Sequence, residues 1–413
     1  MRRPGATSSA PTGGEPRWLD PLTAVELLAD PPDQVVLLHS SDGSGMSHLG
    51  FGHEVVDHVP AVPLDPTRPG EPAWMGWLDY EGGARFLGVT RSIGFDHRTR
   101  SVVVRGDELW RAQVTAAIDD GAAGTTRDPA PSIPPTLARW RHDDHHYLDL
   151  IARCQAAIRR GDAYQLCLTN TATVDRSPDA WQVYRRLAAL SPTHHAGFLR
   201  LGDTTLASAS PESFLTLDAD GVITSSPIKG TRARSADPVH DAALAVELAA
   251  DEKERAENLM IVDLVRNDLS RIAELGTVRV ARLLEVESYP QVHQLVSTVE
   301  ASLRAGMTGA DAIDSLFPAG SMTGAPKRSA MDLLRAFEEG PRGLYSGAFG
   351  LIGADGSIDL AMTIRSIVFR GGGATVGAGG GITALSVPER ELAEVRIKAA
   401  PLLAALGAVS ASE

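Results

Sequence analysis

The first third of the chain alternates short apolar runs with turn formers. VVLLHSS (35–41), RFLGVTRSIGF (85–95) and SVVVRG (101–106) are separated by Pro, Gly and Asp, which predicts strands up to about residue 118. From Asp119 to Pro135 the sequence reads DDGAAGTTRDPAPSIPP and loses all period, as a linker or long surface loop does; we place that segment at 119–140. Beyond it the spacing changes to three and four. HHYLDLIARCQAAIRRG (145–161) predicts a helix ending near Gly161, followed by a strand at AYQLCLTNTATV and a helix over about 179–190. Strands are expected through 197–230. A long helix, broken at most once, is expected from Asp237 to about Ile272. Then come a strand at VRVARLLEVES, helices at 309–316 and 326–339, and a strand pair around 347–370. The last helix is expected after Ser386, where Ser386 and Glu389 have capping-box spacing and Pro388 suits a first turn. Strands and helices interleave without strict βαβ alternation and without a fixed-period repeat, so the fold class is α+β rather than a doubly wound sheet.

Composition narrows the function classes. The chain has 413 residues, 43% of them hydrophobic, enough for a large core. A net charge of −13 makes nucleic-acid backbones and anionic membranes poor partners. A small anion remains possible where a local cation opposes the global charge. No apolar run is long enough to span a bilayer. Residues 1–16 lack the apolar core of a secretory signal and are expected to be a disordered tail. The two cysteines, Cys154 and Cys167, lie in apolar segments, which suits buried thiols in a reducing cytoplasm and leaves no CxxC site.

Several constellations could carry chemistry. Glu254 and Glu257, and Glu391 and Glu394, are pairs three apart on predicted helices, so each pair shares one face. Together they could hold a hard divalent cation through oxygen. Equally, ExxE is common on solvated helix faces, with Lys253, Arg255 and Lys398 as ion-pair partners. The glycine-rich stretch 371–381 could bring backbone N–H groups to a carboxylate, or form a flexible loop. It has no dinucleotide or P-loop spacing. PAGSMTGAPK (318–327) suits an anion at a helix start, though a plain turn would look the same. Lys229 in SSPIKGTRAR is either a snorkelling strand-end charge or a partly buried nucleophile. At an unperturbed pKa only about one such amine in 2,500 is neutral at pH 7, so nucleophilicity needs desolvation or nearby cations such as Arg232 and Arg234.

Order and spacing decide among these readings. From about 145 to 405 the chain resembles the chorismate-utilising enzymes. SPIKGTRAR, DEKERAENLMIVDLVRNDLSRI, QLVSTVEASL, FPAGSMTGAPKRSAM, YSGAFGLIG, AMTIRSI, GAGGGIT and SVPERELAEVRIKA match in the family's order. The resemblance implies a large antiparallel two-sheet sandwich with surrounding helices and the site between the sheets. Residues 17–118 would be the N-terminal region of the same fold and 141–407 its catalytic, chorismate-binding region. It implies Mg²⁺ held directly by Glu257 and Glu394, with Glu254 and Glu391 beside them, and Gly379, Gly380 and Gly381 as backbone donors to a substrate carboxylate. Tyr345, Arg365 and Lys398 would hold the other carboxylates, with Gln165, Thr231 and Thr323 lining the same pocket. Glu212 would protonate the departing C4 hydroxyl, and Lys229 would be the nucleophile.

Within the family, isochorismate and salicylate synthases activate water with a lysine where this chain has Gln165. Anthranilate synthases usually read PIAGT where this chain reads PIKGT, as aminodeoxychorismate synthases do. The implied activity is therefore conversion of chorismate and ammonia to 4-amino-4-deoxychorismate for p-aminobenzoate through a lysine-bound intermediate. Anthranilate formation, as by an anthranilate synthase component I, is the alternative, and a non-catalytic chorismate-binding regulatory subunit a further one. Gln294 stands where the family often has histidine, and His293 is expected to be packed or on the surface. Leu37-Leu38-His39-Ser40 is a poor match to the family's LLES effector motif. Neither cysteine sits in a glutaminase nucleophile turn, so a glutamine amidotransferase subunit is expected as partner.

Overall fold

The computed structural model describes residues 16–28, 34–68, 70–122, 133, 135–289 and 292–410. Among them, two mainly antiparallel sheets of 12 and 10 strands pack face to face with helices on the outer sides. Alternation along single strands divides the core into layers. In Gln34–His39, Val35 and Leu37 join the cluster under the outer helices, while Val36 points between the sheets at Met75, Leu87, Leu199 and Phe349. The helices Asp144–Arg160, Ala180–Leu190 and Pro388–Leu406 cover the larger sheet, and Glu252–Ser270 and Gly309–Leu316 cover the smaller. This is the α+β sandwich the sequence predicts.

Local signals explain most boundaries. Asp144–Arg160 starts at Asp143, whose carboxylate accepts the His146 N–H, and ends at Gly161 in the left-handed region. The long helix predicted from Asp237 is two helices, Pro238–Ala250 and Glu252–Ser270. Asp251 closes the first and caps the second by accepting the Glu254 N–H at 3.0 Å. Residues 85–95 form two strands rather than one run: Ala84–Gly88 belongs to the smaller sheet and Arg91–Asp96 to the larger.

Four readings need correction. The segment placed at 119–140 is shorter, because the helix Glu108–Ala122 continues through Asp119 and Asp120 and a strand occupies Thr136–Trp140; most of what lies between is outside the described residues, as is the expected tail except Pro16. The glycine-rich stretch is a strand, Gly373–Ile382, buried along most of its length because it is the neighbour of Gln165–Val174. The pair expected at 347–370 is three strands, Ala348–Gly353, Ile358–Met362 and Ser366–Arg370. Ser386 caps no helix: its hydroxyl accepts the Thr383 N–H, and Val387 is the cap residue of Pro388–Leu406.

Both cysteines are free and buried, and burial pushes the Cys154 thiol up to about 12. No helix among the described residues is long and apolar enough to cross a membrane.

Candidate active site

The site is framed by two adjacent strands. Gln165–Val174 pairs with the glycine strand from Ala374↔Val174 to Ile382↔Leu166. On its other side the glycine strand pairs with Ser366–Arg370 only as far as Val376, so from Gly377 onward its second edge leaves the sheet. An edge that runs past its neighbour can offer backbone N–H groups to a ligand. Absence of side chains is essential here. A Cβ on Gly377 would lie 2.1 Å from the Tyr345 ring, and one on Gly381 would lie 2.4 Å from Gln165 Nε2 and 2.9 Å from Glu257 Oε2. A Cβ on Gly380 would contact Glu391 and Glu394 at 3.4 and 3.8 Å.

Three of the four predicted glutamates therefore converge on the glycine strand. Glu257 and Glu391 are buried; Glu394 is partly exposed. Glu254 approaches from the neighbouring turn, 3.1 Å from where a Gly230 Cβ would stand, and Gly230 holds φ +80° so that the chain can pass. Two lysines thread the cluster. Lys253 Nζ donates to Glu391 Oε1 at 2.7 Å and lies 3.6 Å from Glu257, while Lys398 Nζ reaches Glu394 at 2.6 Å and the Gly379 carbonyl at 2.8 Å. Two of the three ion-pair partners of the solvated-face reading, Lys253 and Lys398, thus pair with the glutamates at half-buried positions, whereas Arg255 donates to the Ala249 carbonyl. Lys253 and Lys398 stand four residues from Glu257 and Glu394, and that spacing was the available signal for both contacts.

The charges are poorly balanced for neutral pH. Burial pushes the Glu257 carboxyl above the usual range despite Lys229 and Lys253, and Glu254 and Glu391 add like-charge repulsion. Glu254 is raised for the same reasons, burial first and then Asp251 and Glu394 over the opposition of Lys253. Glu394 is lowered, because Lys398, Lys253 and Lys229 outweigh its burial. The Gln165 side chain is buried beside them, its Nε2 3.4 Å from Glu257 and its Oε1 without a protein partner. An all-oxygen donor set with an ammonium already nested between two members, an orphaned amide oxygen and a glycine cradle fit a hard divalent cation such as Mg²⁺.

Lys229 lies deep among protein atoms while keeping some accessible surface. Burial would lower its pKa, but Glu257, Glu212 and Glu394 outweigh that and hold the amine protonated. The expected help from Arg232 and Arg234 is corrected: Arg232 pairs with Glu247 and Asp251, and Arg234 with Asp241. Their charge acts on those carboxylates, and that of Arg232 also on Glu254 at 3.9 Å. Glu212 is buried and its pKa raised by that burial, against Lys229 and a hydrogen bond with Ser321. Sequence reasoning did not single out Ser321, although it lies in the SMTGAPK stretch.

Other predicted residues take varied positions. Tyr345 is buried with its hydroxyl pKa raised by that burial, and Arg365 beside it, at φ +50°, has its pKa lowered by burial against the pull of Tyr345 and Glu394. A non-glycine residue held in the left-handed region is strained, which is typical of functional sites. Thr323 is fully buried, but its hydroxyl donates to the Ala319 and Gly320 carbonyls while its own carbonyl accepts the Cys167 N–H. It shapes the turn against the Gln165 strand. Thr231 is exposed and pairs with Gln294, and its carbonyl accepts from Arg232, which lies 3.9 Å from Glu254. His293 is packed, bonded to Ser288 and Asp241. A separate cleft of about 640 Å³ opens between the sheets behind Tyr345 and Gly377, lined in part by Asp57, Arg85 and Arg370.

One supporting pair was missed altogether. Arg342, buried, donates to both oxygens of Glu338 and to the carbonyls of Cys167 and Met322; Glu338 also accepts the Thr169 N–H. This pair fixes the strand that faces the glycine cradle.

The chain belongs to the chorismate binding enzyme family, which matches residues 53–404. Aminodeoxychorismate synthase of Streptomyces griseus is 44% identical over 357 residues, 80% of this chain and 49% of that protein. The same-named protein of Streptomyces pristinaespiralis is 42% identical over 92% of this chain and 58% of its own length, so the chain spans about half the length of these relatives. Anthranilate synthase component 1 of Streptomyces coelicolor is 37% identical over 96% of this chain and 78% of that protein. Among solved structures, anthranilate synthase component I from Streptococcus pneumoniae superposes with a TM-score of 0.74 at 25% identity, covering 96% of this chain and all of that one. The two-sheet fold is shared as well by the menaquinone-specific isochorismate synthase from Escherichia coli, TM-score 0.75 at 18% identity, over 94% of this chain and 91% of that one.

Proposed function

We propose that this chain converts chorismate and ammonia to 4-amino-4-deoxychorismate, as an aminodeoxychorismate synthase component I acting in p-aminobenzoate formation. The observation that carries the reading is Lys229, an amine within the field of Glu257, Glu212 and Glu394, of which Glu257 and Glu394 lie against the glycine strand. Similarity to two aminodeoxychorismate synthases supports it. Glu254, Glu257, Glu391 and Glu394 would hold Mg²⁺, which when bound supplies charge to grip the ring carboxylate of the substrate. With the acidic charge offset, burial of Lys229 favours its neutral form. The Gly379–Gly381 backbone, Tyr345 and Arg365 orient the substrate, with Lys398 fixing Glu394.

Lys229 Nζ attacks C2, both ring double bonds shift by one position (C1=C2 to C1=C6 and C5=C6 to C4=C5), and the C4–O bond breaks. Glu212, whose pKa burial raises, gives a proton to the departing hydroxyl, which leaves as water. Ammonia then bonds to C4, both ring double bonds shift back, and the C2–N bond to Lys229 breaks. Glu212 recovers a proton from the incoming nitrogen. The enolpyruvyl group is retained throughout. Ammonia would come from a glutamine amidotransferase partner; both cysteines here are buried, so neither serves as a glutaminase nucleophile. A cytoplasmic setting accords with these free thiols.

The test is mass spectrometry of the products from chorismate, Mg²⁺ and ammonium. An amine-for-hydroxyl product that keeps the enolpyruvyl group is expected. Anthranilate with released pyruvate would move the chain to the anthranilate branch, and no turnover would favour a regulatory subunit. Withholding ammonia should leave a covalent adduct on Lys229, and Lys229→Ala should abolish it.

A further inference from the structure

The described residues hold one place where three side chains of ligating type bring their donor atoms within 4.8 Å of one another, and it is not the glutamate cluster. It consists of His142, His146 and Glu339. We propose that these three residues bind a divalent transition ion of the Zn²⁺ class, at a structural site separate from the catalytic carboxylates.

Each ligand is set by backbone already described. His142 is buried, and its Nε2 lies 2.9 Å from the Glu338 carbonyl. A carbonyl oxygen only accepts, so Nε2 carries the proton and Nδ1 keeps its lone pair. A histidine that donates one ring N–H to a backbone carbonyl and keeps a lone pair on the other nitrogen has the tautomer found in metal-ligating imidazoles. Its backbone is fixed too, because the His142 N–H donates to Asn170 Oδ1 and its carbonyl accepts from Asn170 Nδ2. His146 follows one turn later, its own N–H held by the cap Asp143, and its ring stacks on His142 at 4.8 Å between centroids. Glu339 ends the helix Lys327–Glu338 at φ +56°, a conformation that glycine adopts far more readily, and Gly340 is the next residue. Its Oε1 lies 3.7 Å from His146 Nε2.

Two imidazoles and one carboxylate form the ligand set of a borderline ion, with a fourth position for water, and are poorly matched to Mg²⁺. The ion would tie the start of one helix to the end of another. It would sit one residue from Glu338, whose pair with Arg342 anchors the Gln165 strand. Its effect would therefore be on stability rather than on the reaction.

The test uses the full chain with Mg²⁺ saturating, so that the carboxylate cluster is occupied. Titration with Zn²⁺ by calorimetry should reveal one saturable site, and Co²⁺ should give the visible d–d absorption of a low-coordinate ion with nitrogen ligands. His146→Ala and Glu339→Gln should each weaken that site by more than about 10²-fold, beyond the roughly 10–100-fold typical of losing an outer partner. Both side chains are partly exposed, so the metal-free variants should melt as the parent does. Zn²⁺ should raise the parent's melting temperature and leave theirs unchanged. A parent with no saturable Zn²⁺ under these conditions overturns the proposal. So does undiminished binding in either variant.

Discussion

Two clusters of buried charge lie within a few residues of each other along the Gln165 strand, and they are built in opposite ways. In the Glu338–Arg342 pair, the guanidinium places its five N–H donors on Glu338, Cys167, Met322 and Ser346. Burial alone would lower the Arg342 pKa, but Glu338 outweighs it and holds the group charged. In the glutamate cluster, two carboxyls are pushed above their usual range and the Gln165 amide oxygen has no protein partner. The saturated cluster has no capacity left for a ligand and acts as scaffold. The unsaturated one has capacity for cationic charge, and that is what a binding site retains at some cost in stability.

Arg342→Met should break the comparison most severely. It leaves the Glu338 carboxylate buried and unpaired, so a loss of about 3–5 kcal/mol is expected, read as a lower urea midpoint at constant slope. A shift below about 1 kcal/mol would mean that Arg342 is not the anchor. Glu257→Gln is the counterpart in the unsaturated cluster. Removing one crowded charge should leave the melting temperature unchanged or raised, while turnover falls by on the order of 10²-fold and its Mg²⁺ dependence weakens. Normal turnover with a normal Mg²⁺ response would remove Glu257 from the site.

The smallest effect sharpens the contrast through pH. Glu254 and Glu257 have folded pKa values above the ordinary 4.5, so the folded state binds protons more readily than the unfolded chain. Their contribution is complete at low pH and is lost as pH rises through the folded values. A cation competes with those protons. The gain in stability from Mg²⁺ should therefore grow as pH rises above the ordinary carboxylate value, and Glu257→Gln should flatten the trend. A gain that is constant with pH would place the ion elsewhere.

Much of this was legible in the sequence, and the exceptions have physical causes. Helices with caps at both ends, such as Asp144–Arg160 and Gly309–Leu316, announced themselves through periodicity and cap residues. Pro21–Leu28 and Glu108–Ala122 did not: both fall in the stretch read as strands, the first being only two turns long and the second ending in an Asp-Asp-Gly sequence that resembles a loop. The glycine strand was misread because glycine has no strand preference of its own; its long ladder to Gln165–Val174 decides the matter. The glutamate pairs were visible as spacing, but which of them turned inward was not. Arg342 was beyond reach, since two of its acceptors are backbone carbonyls 20 and 175 residues away.

Asp251 carries a consequence for how this site tolerates change. One carboxylate oxygen accepts the Glu254 N–H and the other holds Arg232, so the residue pins the rotational phase of the helix that carries Glu254 and Glu257. A single residue inserted between Asp251 and Glu254 would turn both carboxylates by about 100° around the helix axis. The helix itself would survive, and its apolar face would rotate with them. Deletions and insertions in this short stretch are thus angular errors rather than changes of length, and a family alignment should be far less permissive of gaps here than of substitutions.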